Sequence, residues 1–185
     1  MKQNKTQLFY GSTNSENTML NSKAIKQLIE SQQLISGYID LEKQLQPAGF
    51  DLSLKEVHAY WGAGAIDFDN KERKLAARRQ LEPSPDGWYN LPPGCYMIVY
   101  NEAVKMPLNI VALARSRSTV LRNAAAVETA VWDPGYQGRS SSLLVVHNPH
   151  GIKLKKDARV AQLVFYSTDE VEKGYSGVYQ NERIK

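Results

Sequence analysis

Three arginines and three hydroxyl residues fall within residues 115–122, in the stretch Ala114-Arg115-Ser116-Arg117-Ser118-Thr119-Val120-Leu121-Arg122. Guanidinium groups offer planar, paired donors that match phosphate oxygens, and serine and threonine add short hydroxyl donors. A triphosphate needs many such donors converging on one place, so this segment reads as phosphate-binding. The plainer alternative is an exposed polar loop or a helix start. A second stretch follows, Glu128-Thr129-Ala130-Val131-Trp132-Asp133-Pro134-Gly135-Tyr136-Gln137-Gly138. An acid placed by an apolar strand immediately before a tight turn could accept a proton from an attacking water. By itself, an Asp-Pro-Gly is more commonly a plain hairpin turn with Asp133 as its first residue.

Two further segments carry candidate residues. In Gln46-Pro47-Ala48-Gly49-Phe50-Asp51-Leu52, an acid sits between apolar residues at a strand start, where it would ordinarily face water or cap a turn. Near the end, Lys173-Gly174-Tyr175-Ser176-Gly177-Val178-Tyr179-Gln180 could fold over a ligand or simply fray. His58, His147 and His150 are not spaced as metal ligands or as members of a catalytic triad. With Cys95 as the one cysteine, zinc-deaminase and structural zinc patterns are absent.

The elements that must position these residues read as mostly β. Ser22 can cap a short helix with Ile25, Leu28 and Ile29 on one face, fading near residues 33–36. Beyond it, Phe50, Leu52 and Leu54 alternate with polar residues, and β-forming runs recur at 95–100, 110–113, 143–146 and 160–166. Residues 71–79 are highly charged and read as a short helix or an edge strand. Turns are marked at residues 83–87, 92–94 and 148–151. Many short strands, one early helix and no repeat point to a jelly roll or barrel. No βαβ rhythm, Gly-x-Gly-x-x-Gly or P-loop appears, so any nucleotide is held without a Rossmann or P-loop cradle.

Composition narrows the class. One domain is expected from 185 residues, with residues 1–18 as a flexible extension and 19–185 as the folded unit. Lys plus Arg is 23 against 19 for Asp plus Glu, a modest excess that suits an anionic ligand. The one dense basic patch, Lys153, Lys155, Lys156 and Arg159, reads as a solvated strand-turn face, so no nucleic-acid partner is expected. A lone cysteine fits a reducing compartment. No apolar run is long enough for a membrane span, and the first residues lack a signal-peptide core. A soluble, cytoplasmic protein is expected.

The order of motifs adds more than any one of them. Ala48-Gly49-Phe50-Asp51-Leu52, Arg117-Ser118-Thr119, Asp133-Pro134-Gly135-Tyr136-Gln137-Gly138, Arg159-Val160-Ala161-Gln162-Leu163 and the Gly/Tyr/Gln tail together resemble the successive motifs of the dUTPase and dCTP deaminase superfamily. The likeness runs over roughly residues 20–182 and is greatest to the archaeal-type dUTPases. It implies a dUTPase-like β-clip fold, a distorted jelly-roll or β-barrel. It implies a homotrimer with active sites at subunit interfaces, and magnesium bridging the triphosphate.

On that resemblance, Arg117, Ser118, Thr119 and Arg122 contact phosphates, and Gln162 makes a polar contact to the triphosphate. Asp133 orients or deprotonates the water that attacks the α-phosphate of dUTP, releasing dUMP and pyrophosphate. Asp51 supports the metal through water, Tyr175 and Gln180 close over the nucleotide, and the hairpin of residues 124–132 reads uracil. Glu128, on the strand entering the turn, is the alternative base. The superfamily's deaminases use a glutamate on the strand after the Asp turn. Here residues 134–156 contain no Asp or Glu, which favours hydrolysis of dUTP over deamination of dCTP or a bifunctional enzyme. A non-catalytic deoxynucleotide-binding homologue is the third reading.

Overall fold

The helix expected after residue 18 forms as α1 (Ser22–Gln32), with Ile25 and Ile29 buried. Its cap is Asn21, not Ser22: the Asn21 side chain accepts the Ala24 N–H at 3.0 Å. Gln33 ends it in the left-handed region at φ 57, and Leu34 N–H reaches back to Leu28 O at 3.2 Å. The computed structural model describes residues 18–184. Except for Thr18, the expected N-terminal extension lies outside the described residues.

The remaining elements are β1 (Ile35–Ser36), α2 (Leu41–Gln44), β2 (Leu45–Gln46), β3 (Gly49–Tyr60), β4 (Arg78–Leu81), β5 (Trp88–Leu91), β6 (Gly94–Tyr100), β7 (Ala103–Lys105), β8 (Ile110–Ser116), α3 (Ser118–Arg122), β9 (Ala125–Glu128), β10 (Gln137–Gly138), β11 (Ser141–Val146), β12 (Ile152–Lys155) and β13 (Arg159–Ser167). The main sheet runs β8-β13-β3-β6-β11-β9, with β2 and β4 also on β3. Two smaller sheets, β1-β7-β10 and β12-β5, complete it. The charged residues before β4 form no helix; β4 is an edge strand paired with the far half of β3.

Side chains nearly close the sheet into a barrel. Ser116 Oγ accepts the Val127 N–H at 2.7 Å and donates to Val127 O at 3.2 Å, joining β8 to β9. Ala112 and Trp132 exchange backbone hydrogen bonds at 3.0 Å just beyond. The mostly-β, barrel-like expectation therefore holds. Phe50, Leu52, Leu54, Ile98, Leu144, Leu163 and Phe165 fill the interior. No helix among the described residues is long and apolar enough to cross a membrane.

Asp51 and Ser53 alternate with the apolar residues of β3, and Asp51 was expected to face water or cap a turn. Both are buried: Gln44 of α2 and Glu102 of the β6–β7 connection cover Ser53 and the Asp51 backbone, while Arg117 and Arg159 cover the Asp51 carboxylate. Glu102, inconspicuous in sequence, is 1% exposed and accepts Gln44 Nε2 at 2.6 Å, Ser53 Oγ at 2.6 Å and Ser53 N–H at 2.8 Å. Burial pushes its carboxyl above the ordinary carboxylate range, against the pull of those donors. Glu102→Ala would strand three buried donors, and the expected loss of stability is about 3 kcal/mol. Urea unfolding followed by fluorescence checks this; an unchanged midpoint would show that the network contributes nothing.

Candidate active site

The donor-rich stretch divides between the end of β8 and α3. Arg117 stands at the junction, with φ −63 and ψ 145, and its N–H donates to Val160 O at 3.1 Å. Its guanidinium reaches back to β3. Nε lies 3.0 Å from Asp51 Oδ2, and Nη1 donates to Arg159 O at 3.2 Å. Arg159 Nη1 approaches the same Asp51 oxygen at 3.1 Å. Thus Arg159, read from sequence as part of a solvated patch, belongs to an ion-pair cluster.

Asp51 is 1% exposed, and its second oxygen, Oδ1, has no partner among the described residues. Burial raises its pKa above the usual carboxylate value, while Arg117 and then Arg159 pull it down. Ser118, Thr119 and Arg122 are exposed on and around the single turn of α3. Gln162 sits opposite Asp51 in the β13–β3 register. Gly49 is needed beside it: a Cβ there would come within 2.5 Å of Leu163 O and 2.8 Å of Gln162 Nε2.

The acidic half of the predicted site faces a cavity. A cavity of about 490 Å³ is walled by Glu128, Trp132, Asp133, Tyr175 and the start of β11, with Tyr60 and Arg78 from the β3–β4 edge. Asp51, Arg117, Ser118, Thr119, Arg122, Gln162 and Gln180 are not among its walls. Glu128 and Asp133 are exposed, and neither carboxylate is paired with a described residue.

The Asp133 turn is not the tip of a simple hairpin. The β9 and β11 strands pair directly, Glu128 opposite Leu143, and the turn lies in the excursion between them. Tyr136 N–H donates to Asp133 O at 3.1 Å, and Gly135 has φ 81, a conformation that suits glycine there. Gly135 N–H donates to Met106 O at 3.1 Å, and Met106 N–H returns to Tyr136 O at 2.8 Å. The Trp132 indole donates to Ser140 Oγ at 3.0 Å, fixing the other side.

The tail expected to close over a ligand is docked on this turn. Tyr175 meets Tyr136 edge to face at 5.5 Å between ring centres, and its N–H donates to Pro134 O at 2.8 Å. Gln180, expected to close over the nucleotide with Tyr175, bonds the turn through both ends of its amide. Oε1 accepts the Gln137 N–H and Nε2 donates to Gly135 O, each at 2.9 Å. Glu182 accepts the Tyr136 hydroxyl at 2.9 Å and is ion-paired with Arg183. Burial, with Glu182 beside it, raises the Tyr136 pKa far above normal. No sequence signal marked Glu182, Arg183 or Arg78, because only the fold brings them to the cavity.

Residues 19–168 match the family model described as dCTP deaminase-like. Over 170 residues the chain is 52% identical to a probable deoxyuridine 5'-triphosphate nucleotidohydrolase of Methanosarcina barkeri, covering 91% of this chain and 99% of that one. The counterpart in Archaeoglobus fulgidus is 46% identical over 166 residues, 90% of this chain and 98% of that one. In three dimensions the chain is similar to the 2'-deoxycytidine 5'-triphosphate deaminase of Agrobacterium tumefaciens. The TM-score is 0.61 and the identity 21%, over 82% of this chain and 48% of that one, so this chain spans about half that length.

Proposed function

The chain belongs to the dCTP deaminase-like family, and from that premise we infer that it is a dUTP diphosphatase, hydrolysing dUTP to dUMP and pyrophosphate. The activity named for its archaeal relatives supports the reading. The observation that carries it within this chain is the cavity wall. Asp133 stands there on a turn pinned from several sides, while β11 presents Ser141, Ser142 and Leu143. A deaminase of this superfamily would need a carboxylate on that strand to carry protons at the cytosine ring.

In this reading Asp133 accepts a proton from a water as its oxygen bonds to the α-phosphorus. The bond from that phosphorus to the bridging oxygen breaks, and pyrophosphate leaves. Arg117, Ser118, Thr119, Arg122 and Gln162 hold the phosphate chain. Such chemistry rests on positioned donors and an aligned water, with no covalent nucleophile. Because the phosphate-side residues are not on the cavity that holds Asp133, the two halves meet when a neighbouring copy supplies the donors. A homotrimer with shared sites satisfies this requirement.

Magnesium fits as a companion of the triphosphate. No group of three or more His, Cys, Asp or Glu among the described residues could hold a metal alone. Magnesium typically keeps waters and binds through substrate phosphates with few protein ligands. Asp51 Oδ1, without a partner, is the oxygen that could accept a metal-bound water. The ion would neutralise charge on the phosphate oxygens. The protein is read as cytoplasmic.

Incubation with dUTP and magnesium should release pyrophosphate and dUMP. No release above background, with nucleotide still bound, would leave a binding protein instead. Ammonia release from dCTP would show deamination through another carboxylate.

A further inference from the structure

We propose that Gln180 is a positioning residue for Asp133: its side-chain amide clamps the Asp-Pro-Gly turn from behind and thereby sets where the carboxylate stands in the cavity. The proposal rests on the reading of Asp133 as the base. Gln180 bridges two backbone groups on either side of Tyr136, the carbonyl of Gly135 and the N–H of Gln137. One primary amide supplies both the donor and the acceptor, a pairing that a carboxylate or an alkyl chain cannot reproduce.

Neighbouring contacts show that the tail and the turn fit as one unit. Asn181 N–H donates to Gln137 O at 2.7 Å, and Arg139 N–H to Glu182 O at 2.9 Å. Gly138 and Glu182 form a parallel bridge, so the tail extends the small β1-β7-β10 sheet by one strand position. The approach is as close as two glycines allow. A Cβ on Gly135 would lie 2.8 Å from Gly174 Cα, and one on Gly174 would lie 2.8 Å from Leu108 Cδ2 and 3.0 Å from Gly135 Cα. A turn held so closely has little freedom to move its aspartate. Gln180 itself is not among the cavity walls, so it acts on the site through the backbone.

The test uses the full chain and the variant Gln180→Met, which keeps the length of the side chain and removes both hydrogen bonds. A misplacement of the base by about 1 Å costs up to about 10²-fold, so kcat on dUTP should fall between about 10-fold and 100-fold. KM and the affinity for a non-hydrolysable α,β-imido dUTP should change by less than about twofold, since no contact to substrate is lost. Gly174→Ala perturbs the same junction through a different atom and should give the same split. Amide exchange at Gln137 should speed up in Gln180→Met, a readout that needs no turnover. A raised KM with kcat intact would make Gln180 a substrate contact and overturn the proposal, as would unchanged exchange at Gln137. If the wild-type chain fails to hydrolyse dUTP, the dUTPase reading falls, and amide exchange still decides whether the clamp exists.

Discussion

Replacing Asp133 with asparagine is expected to lower kcat on dUTP about 10³-fold, the middle of the range for loss of a general base. Asparagine keeps the shape of the side chain and the Asp133 carbonyl that accepts the Tyr136 N–H, so the turn should stand. What disappears is the proton acceptor at the cavity wall. Nucleotide affinity should stay within about threefold of wild type, because the proposed function gives the phosphates to other residues. Steady-state pyrophosphate release and calorimetry with the non-hydrolysable nucleotide measure the two separately. Glu128→Gln is the necessary companion, since Glu128 is exposed on the same cavity and also free of any described partner. Its expected effect is less than about tenfold, because its strand position is not held by the contacts that pin the Asp133 turn. If Glu128→Gln shows the large loss and Asp133→Asn turns over normally, the base is Glu128.

The strands were legible where chemistry is local. Runs of β-forming residues at 95–100, 110–113, 143–146 and 160–166 became β6, β8, β11 and β13 with small changes at their ends. The helix was legible from its apolar spacing, though its cap lies one residue earlier than Ser22. The ordered motifs carried the family assignment. What stayed hidden was set by partners distant in sequence. Asp51 looked like a strand residue facing water because its burial depends on Arg117 and Arg159, which reach it only once β13 lies between β3 and β8. Glu102 follows an asparagine just past the run at 95–100, and nothing local announces that Gln44 and Ser53 will surround it. The resemblance placed Gln180 over the nucleotide, and in this structure its amide bonds the Asp133 turn. A glutamine can bond to phosphate or to backbone, and sequence does not say which is in reach.

Arg117→Ala is expected to lower kcat/KM about 10³-fold, at the upper end for removing one positioned charged donor. The reason lies in how the side chain is held. Asp51 takes Nε and the Arg159 carbonyl takes one bond from Nη1, which leaves the rest of the guanidinium edge for a phosphate. Because the aspartate and the Val160 carbonyl fix the arginine before substrate arrives, little side-chain freedom remains to be lost on binding. The same substitution leaves buried Asp51 with Arg159 as its one remaining cation, and a stability loss of about 2 kcal/mol should accompany the loss of activity. Arg117→Lys separates the two roles. Lysine retains a cation for Asp51 but lacks a planar fork that can face a carboxylate and a phosphate together. It should therefore recover most of the stability while kcat/KM stays about 10²-fold below wild type. Thermal unfolding and dUTP hydrolysis on the three proteins read both quantities. Full activity in Arg117→Lys would mean that a point charge suffices, and the paired-donor account of this residue would fail. Full activity in Arg117→Ala would remove Arg117 from the phosphate site altogether and leave it as the counter-ion of Asp51.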